Sequence, residues 1–187
     1  ADFKSGVSGA GKSPKPEIMY SAASENFSAY GLTGHRHWPE IFQELGSIVS
    51  KTNLHGKSTS NSIGLLFSPH LVPMIRGIEA TLYCELKEIS SDTEVKNIFE
   101  KEYESEPFIE ILKEGVNPET SSVRGTNMVK IAINSPNHDK TSKSNRLRVY
   151  VVEDNLVKGA SGQAVQVMNI MFGVQETTGL ELTSLIP

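Results

Sequence analysis

The sequence predicts an α+β fold built on a mostly antiparallel or mixed sheet. Alternating apolar and polar residues recur at 78–86, 129–133 and 146–152, the mark of half-buried strands. Two stretches at 39–50 and 92–104 show helical spacing between and before them. Their order lacks the regular strand–helix–strand repeat of a parallel α/β sheet. With 187 residues, 37% of them hydrophobic, the chain can bury one core, or one core and an appendage.

Residues 1–16 are rich in Gly, Ser, Lys and Pro and read as a loop or extended arm. Pro39 suits a first helical turn, and Ile41, Phe42, Leu45, Ile48 and Val49 follow it at helical spacing. Lys51–Asn61 is a polar loop, and Ser62–Phe67 a short buried strand ending before Pro69. In 78–86, Ile78, Ala80, Leu82, Cys84 and Leu86 form the apolar face. Asp92 is the expected N-cap of the helix at 92–104, whose buried face holds Val95, Ile98, Phe99 and Tyr103. Strands at 108–112, 129–133 and 146–152 follow, with a polar excursion at 136–145. A last helix is expected over about 156–172, and residues 174–187 trail away as a tail. No internal repeat is visible.

Composition narrows the function classes. A formal net charge of −4 argues against a general nucleic-acid binder. No apolar run approaches the ~20 residues that span a bilayer. The start lacks the apolar core of a secretory signal. Cys84, the single cysteine, excludes an internal disulfide and a cysteine-based zinc site. A reducing compartment, and so a cytoplasmic location, fits these features.

Two stretches carry the chemistry. Asp154–Gln163 reads as a strand entering a glycine-punctuated turn and a helix start, where backbone N–H groups point outward. His35-Arg36-His37-Trp38-Pro39-Glu40 puts His37 and Glu40 three apart across a helix start, so that a carboxylate can face an imidazole. Such a pair suits proton transfer near neutrality; a surface histidine beside a first-turn Glu explains the same spacing. His35 and His37 lack a third ligand at metal spacing. Gly6–Ser13 fits G-x-x-x-x-G-K-[ST], but its start is polar, and Pro14 and Pro16 block the helix a phosphate loop must open. A loop bringing backbone close to a ligand and a plain flexible arm both remain open.

Arg76 and Arg124 lie at loop–strand junctions, as anion clamps or as surface residues. Cys84 sits mid-strand on the apolar face and reads as a small core residue, not a thiolate. Val157, Ala160, Ala164, Val165, Met168, Met171 and Phe172 form a stripe read as core packing. Val167 and Ile170 lie off it and are expected to be exposed.

Six motifs fall in one order along nearly the whole chain: Ser5–Gly11, Tyr30-Gly31, His35–Ile41, Pro69–Gly77, Arg124–Asn127 and Asp154–Ala164. Together they resemble the N-acetyl-gamma-glutamyl-phosphate reductases, but only the second half of that family's pattern. The resemblance implies an NADP-dependent oxidoreductase of arginine biosynthesis that reduces an acyl phosphate to a semialdehyde. A cysteine in the amino-terminal nucleotide-binding domain, absent here, is the implied nucleophile, so this chain alone is expected to be inactive. His37 matches the acid–base histidine, with Glu40 orienting it. Ser8, Gly9 and Asn155 are implied to approach the cofactor, and His35 and Arg76 to contact substrate; no metal is implied.

The implied fold is that of the glyceraldehyde-phosphate dehydrogenase carboxy-terminal domain, a mixed sheet with helices on one face. The implied organisation is an interdomain arm at 1–16, a substrate-binding and dimerisation domain at 17–155, and a helix and tail at 156–187 returning toward the nucleotide-binding domain. The implied partners are the acyl-phosphate substrate, that domain and a second copy of the chain, with no nucleic acid or membrane. The alternative is a non-catalytic assembly module derived from the same family. A cytoplasmic location is implied, or an organelle matrix in a eukaryote.

Overall fold

The computed structural model describes residues 1–52, 64–134 and 144–184. Seven strands form one sheet: β1 (Asp2–Ser5), β2 (Ser28–Ala29), β3 (Ser68–Leu71), β4 (Ile78–Ser90), β5 (Ile109–Ile111), β6 (Val129–Asn134) and β7 (Ser144–Glu153). Their order is β2-β3-β1-β4-β7-β6-β5. The β1–β3 and β5–β6 pairs are parallel and the other four antiparallel. The helices are α1 (Tyr20–Ala23), α2 (Trp38–Thr52), α3 (Asp92–Glu102) and α4 (Gly162–Met171). The mixed, mostly antiparallel α+β architecture is the one the sequence predicts.

Period-two alternation places Leu82 and Leu86 of β4, Leu147, Val149 and Val151 of β7, and Val129, Ile131 and Ile133 of β6 on one face. There they pack with Ile109 and Ile111 against Val95, Phe99 and Tyr103 of α3, forming the main core. Ile98, expected on that buried face, is exposed. The N-cap of α3 is Ser91 rather than Asp92: its hydroxyl accepts from Glu94 N–H while Glu94 accepts from Ser91 N–H, a reciprocal capping box.

Two further expectations change. Asp2–Ser5 is a strand between β3 and β4 rather than part of a free arm. Lys4 Nζ reaches across the sheet to Glu79 at 3.1 Å and along its own strand to Asp2 at 3.2 Å. Of the strand expected at 62–67, residues 62–63 lie outside the described residues, 64–67 have no regular structure, and pairing begins at Ser68. Most of the loops expected at 51–61 and 136–145 lie outside the described residues. Cys84 is exposed, not a core residue.

The largest departure is α4. Its buried residues are Gly162, Gln166 and Asn169, while Met168, Met171 and Phe172 are exposed. Of the stripe read as core packing, Val157 and Val165 are half-buried and the rest faces outward. A polar network fixes this orientation: the Gln166 side chain accepts from Asn127 and from Lys158 at 2.8 Å each and donates to Glu176 at 2.6 Å. Asn169 donates to the Glu176 and Thr178 carbonyls at 3.0 Å each, so residues 174–180 are anchored rather than trailing.

Val167 and Ile170 are exposed at 43% and 57%, as the sequence predicts. With Met168, Met171 and Phe172 they make an apolar face of the kind that drives association. Each such side chain forgoes roughly 1.5–3 kcal/mol relative to full burial. The chain on its own is expected to self-associate through this face, and the double variant Val167→Gln/Ile170→Gln to stay folded and become more monomeric. Sedimentation velocity with a circular dichroism control checks this; unchanged association in the folded double variant would place the contact elsewhere.

Candidate functional site

The turn after β1 is pinned to the turn before β4. The N–H groups of Gly6, Val7 and Ser8 donate to the carbonyls of Gly77, Met74 and Ile75 at 2.9–3.0 Å. A side chain at position 6 would place its Cβ 2.7 Å from the Ile75 carbonyl oxygen, so only glycine permits this approach. Those donors are thus unavailable to a phosphate. Val7–Ala10 is a short 3₁₀ turn, with no α-helix opening from it. The Gly6–Ser13 pattern is not a phosphate loop, even though a strand precedes it.

Asp154 and Asn155, at the end of β7, hold this turn in place from below. Asp154 is fully buried. Its carboxylate accepts from Gly125 N–H at 2.6 Å, Leu156 N–H at 2.8 Å and Val157 N–H at 3.1 Å, and pairs with Arg76 Nη2 at 2.9 Å. Burial alone would raise its pKa; the hydrogen bonds from Gly125, Leu156, Arg76 and Val157 overcome that and hold the carboxyl below its ordinary value. The N–H groups expected to point outward here are therefore taken by Asp154, whose oxygens occupy the place an anion would fill. Asn155 Oδ1 accepts from Gly77 N–H at 2.9 Å, and its Nδ2 donates to Ser8 Oγ at 2.9 Å.

Above this floor lies a cavity of about 760 Å³. Its lining brings together Gly6 and Gly9 from the first turn, Tyr30 and His35–His37 from the segment entering α2, and Glu153, Asn155 and Gly159 from the end of β7. Of the residues the sequence singled out, His35, His37, Gly9 and Asn155 share it, and Ser8 reaches it through its bond to Asn155. Arg76 is not among the lining residues; its guanidinium is held by Asp154, so it braces the floor. Arg124 also lies outside the lining. Glu40 is exposed, and no hydrogen bond or ion pair joins it to His37.

His35, not Glu40, is the partner the structure gives His37. The His37 backbone N–H donates to His35 Nδ1 at 3.2 Å, and the two rings meet edge to face at 5.0 Å. That bond requires Nδ1 of His35 to be unprotonated, which assigns the neutral ring its proton at Nε2. Desolvation, then the nearby His37 and Arg36 charges, push the His35 pKa below its ordinary value. His35 is thus kept as a neutral hydrogen-bond donor, flanked by Tyr30 and Phe67 at ring distances of 5.5 and 5.2 Å. The His37 ring is exposed at the same cavity.

Gly9, Gly159 and the amide of Asn155 make one small-residue wall, with the Glu153 carboxyl beside Gly159. A Cβ at position 9 would come within 3.3 Å of Asn155 Nδ2, and one at 159 within 3.8 Å of Asn155 Cβ. Sequence reasoning missed Glu153, which interrupts the apolar series Leu147, Val149, Val151 on the same face; that break in alternation was the available signal. Among the described residues, no group of three or more His, Cys, Asp or Glu is placed to hold a metal ion. None of the described helices is long and apolar enough to cross a membrane.

The family description "semialdehyde dehydrogenase, dimerisation domain" matches residues 1–155. An N-acetyl-gamma-glutamyl-phosphate reductase of Herminiimonas arsenicoxydans is 46% identical over the whole chain, which covers 50% of that relative. Its counterpart in Polynucleobacter asymbioticus is 48% identical, with 49% of its length covered. The chain thus spans about half the length of the curated relatives it matches. Among solved structures, an aspartate semialdehyde dehydrogenase II of Vibrio cholerae superposes with a TM-score of 0.63 over 92% of this chain and 54% of that one. At 16% identity this likeness concerns the fold alone.

Proposed function

The chain belongs to the semialdehyde dehydrogenase family, whose dimerisation-domain description covers residues 1–155, and from this we propose that it forms the carboxy-terminal, substrate-binding half of a homo-oligomeric N-acetyl-gamma-glutamyl-phosphate reductase. The observation that carries the reading is the shared cavity. His35, His37, Gly9 and Asn155 come from three separate stretches of sequence and line one space.

In this reading NADPH supplies the hydride, with Gly9 and Asn155 flanking its nicotinamide and Ser8 holding the Asn155 amide in plane. His37 exchanges protons with the reacting carbonyl oxygen and the leaving group, and His35 donates from Nε2 to the substrate. Arg76, first assigned to substrate, acts through Asp154 as a brace. Splitting an acyl reduction into two covalent steps needs a nucleophile. Cys84 is exposed on β4 and absent from the cavity lining, and burial of its surroundings pushes its pKa up. The nucleophile therefore belongs to the amino-terminal half, which also covers the apolar face of α4.

Mixing the chain with the nucleotide-binding half of a relative tests this. Acyl-phosphate-dependent oxidation of NADPH is expected from the mixture and from neither part alone. A mixture that associates without turnover would leave the assembly-module alternative in possession.

A further inference from the structure

We propose that Glu153 is a specificity-determining residue of this cavity, accepting a hydrogen bond from the N–H of a ligand carboxamide. The proposal rests on the reading above and deepens it. Glu153 ends β7 opposite Ile78 of β4 and Val129 of β6. Alternation puts it on the face that carries Val149 and Val151, so its carboxyl emerges among the apolar cavity residues Phe3, Leu71 and Ile78. Among the described residues, no hydrogen bond or ion pair reaches that carboxyl. Its Oε1 lies where a Cβ on Gly159 would meet it at 3.3 Å, with Asn155 on the other side of the same glycine. An acid left without a partner in a cavity wall marks a functional position.

Charge decides what it meets. Lys15, Arg36, His35 and His37, with one acid, Glu17, line the cavity from the loops and the short turn at 16–18, and Glu153 projects from the sheet. N-acetyl-gamma-glutamyl phosphate carries a carboxylate, a phosphate and one neutral donor, the N–H of its acetamido group. The anionic groups suit the basic loops and would be repelled by Glu153; only the amide N–H complements it. Burial, opposed by Lys158 and reinforced by Asp154, raises the Glu153 pKa. The role survives either protonation state, since the acid and the carboxylate both keep an acceptor oxygen. The nicotinamide carboxamide offers the same donor, so the cofactor is the second source of this chemistry.

The test uses the whole polypeptide as its gene encodes it, with Glu153→Leu and Glu153→Gln. Calorimetry measures binding of N-acetyl-L-glutamate, of glutarate, which lacks the amide, and of NADPH. Glu153→Leu removes a half-buried carboxyl without a hydrogen-bond partner at similar volume, so Tm is expected to hold or rise. Glu153→Leu is expected to weaken N-acetyl-L-glutamate about tenfold or more while leaving glutarate no weaker, and Glu153→Gln, which keeps an acceptor, to recover most of it. A loss confined to NADPH assigns the amide to the cofactor instead. Unchanged affinity for both in Glu153→Leu overturns the proposal. Because the readout is binding, a wild type that binds these ligands without reducing the acyl phosphate would defeat the reductase reading separately.

Discussion

Asp154→Ala is expected to lower the unfolding free energy by about 3–5 kcal/mol, the cost of breaking a buried ion pair by removing one partner. The residue is fully buried, and its carboxylate gathers Arg76, Gly125, Leu156 and Val157. Alanine strands three backbone N–H groups and leaves the Arg76 guanidinium without its anion. Against a total of about 5–15 kcal/mol for an ordinary domain, this is a large share. Asp154→Asn keeps the shape and one acceptor oxygen but turns an NH₂ toward donors, so it should fall between wild type and alanine. Urea unfolding checks the order; a loss below about 1 kcal/mol for alanine would mean the network contributes little.

The same group sets an acid limit on the fold. The Asp154 pKa is depressed below its ordinary 3.8 in the folded state. Its contribution is therefore complete above that value and is lost as pH falls through the folded pKa. Wild type is expected to lose stability over that acidic range while Asp154→Ala changes less, so the two curves converge at low pH.

What the sequence made legible follows from where the information is local. Helix α3 and strands β4 to β7 announce themselves because their apolar residues repeat at 3.6 or 2 and meet an apolar partner, whereas α2 is legible by spacing alone, with Leu45 and Ile48 exposed. β1 escapes this reading because Lys4 pairs with Glu79 and Asp2 lies 3.1 Å from His70 on neighbouring strands, contacts no local window contains. The inversion of α4 has the same origin. Hydrophobicity alone turns Met168 and Met171 inward; the partners that draw Gln166 and Asn169 in are Asn127, 39 residues upstream of Gln166, and Glu176 in the following loop.

At the site, residue types were readable and pairings were not. His35, His37, Gly9 and Asn155 were singled out from the chain and share the cavity. That Arg76 would close on Asp154, and that His35 rather than Glu40 would sit beside His37, depends on turn geometry the sequence does not encode locally. Glu153 was visible as a charged break in an apolar alternation, but its significance depends on the cavity above it.

His37→Asn in the whole polypeptide is expected to lower kcat by about two to four orders of magnitude, the usual contribution of a positioned acid–base group. The His37 ring is exposed at the cavity, whereas His35 has its Nδ1 committed to the His37 backbone and is held neutral. His35→Asn should therefore act mainly on KM, and His37→Asn mainly on kcat. Glu40 makes no bond to His37, so Glu40→Gln is expected to cost much less than His37→Asn. A pH profile of kcat separates the roles: the limb that reports His37 should vanish in His37→Asn and persist in both other variants. Turnover near wild type in His37→Asn would remove His37 from the chemistry. Loss of the same limb in His35→Asn, with the limb intact in His37→Asn, would transfer the proton-exchanging role to His35.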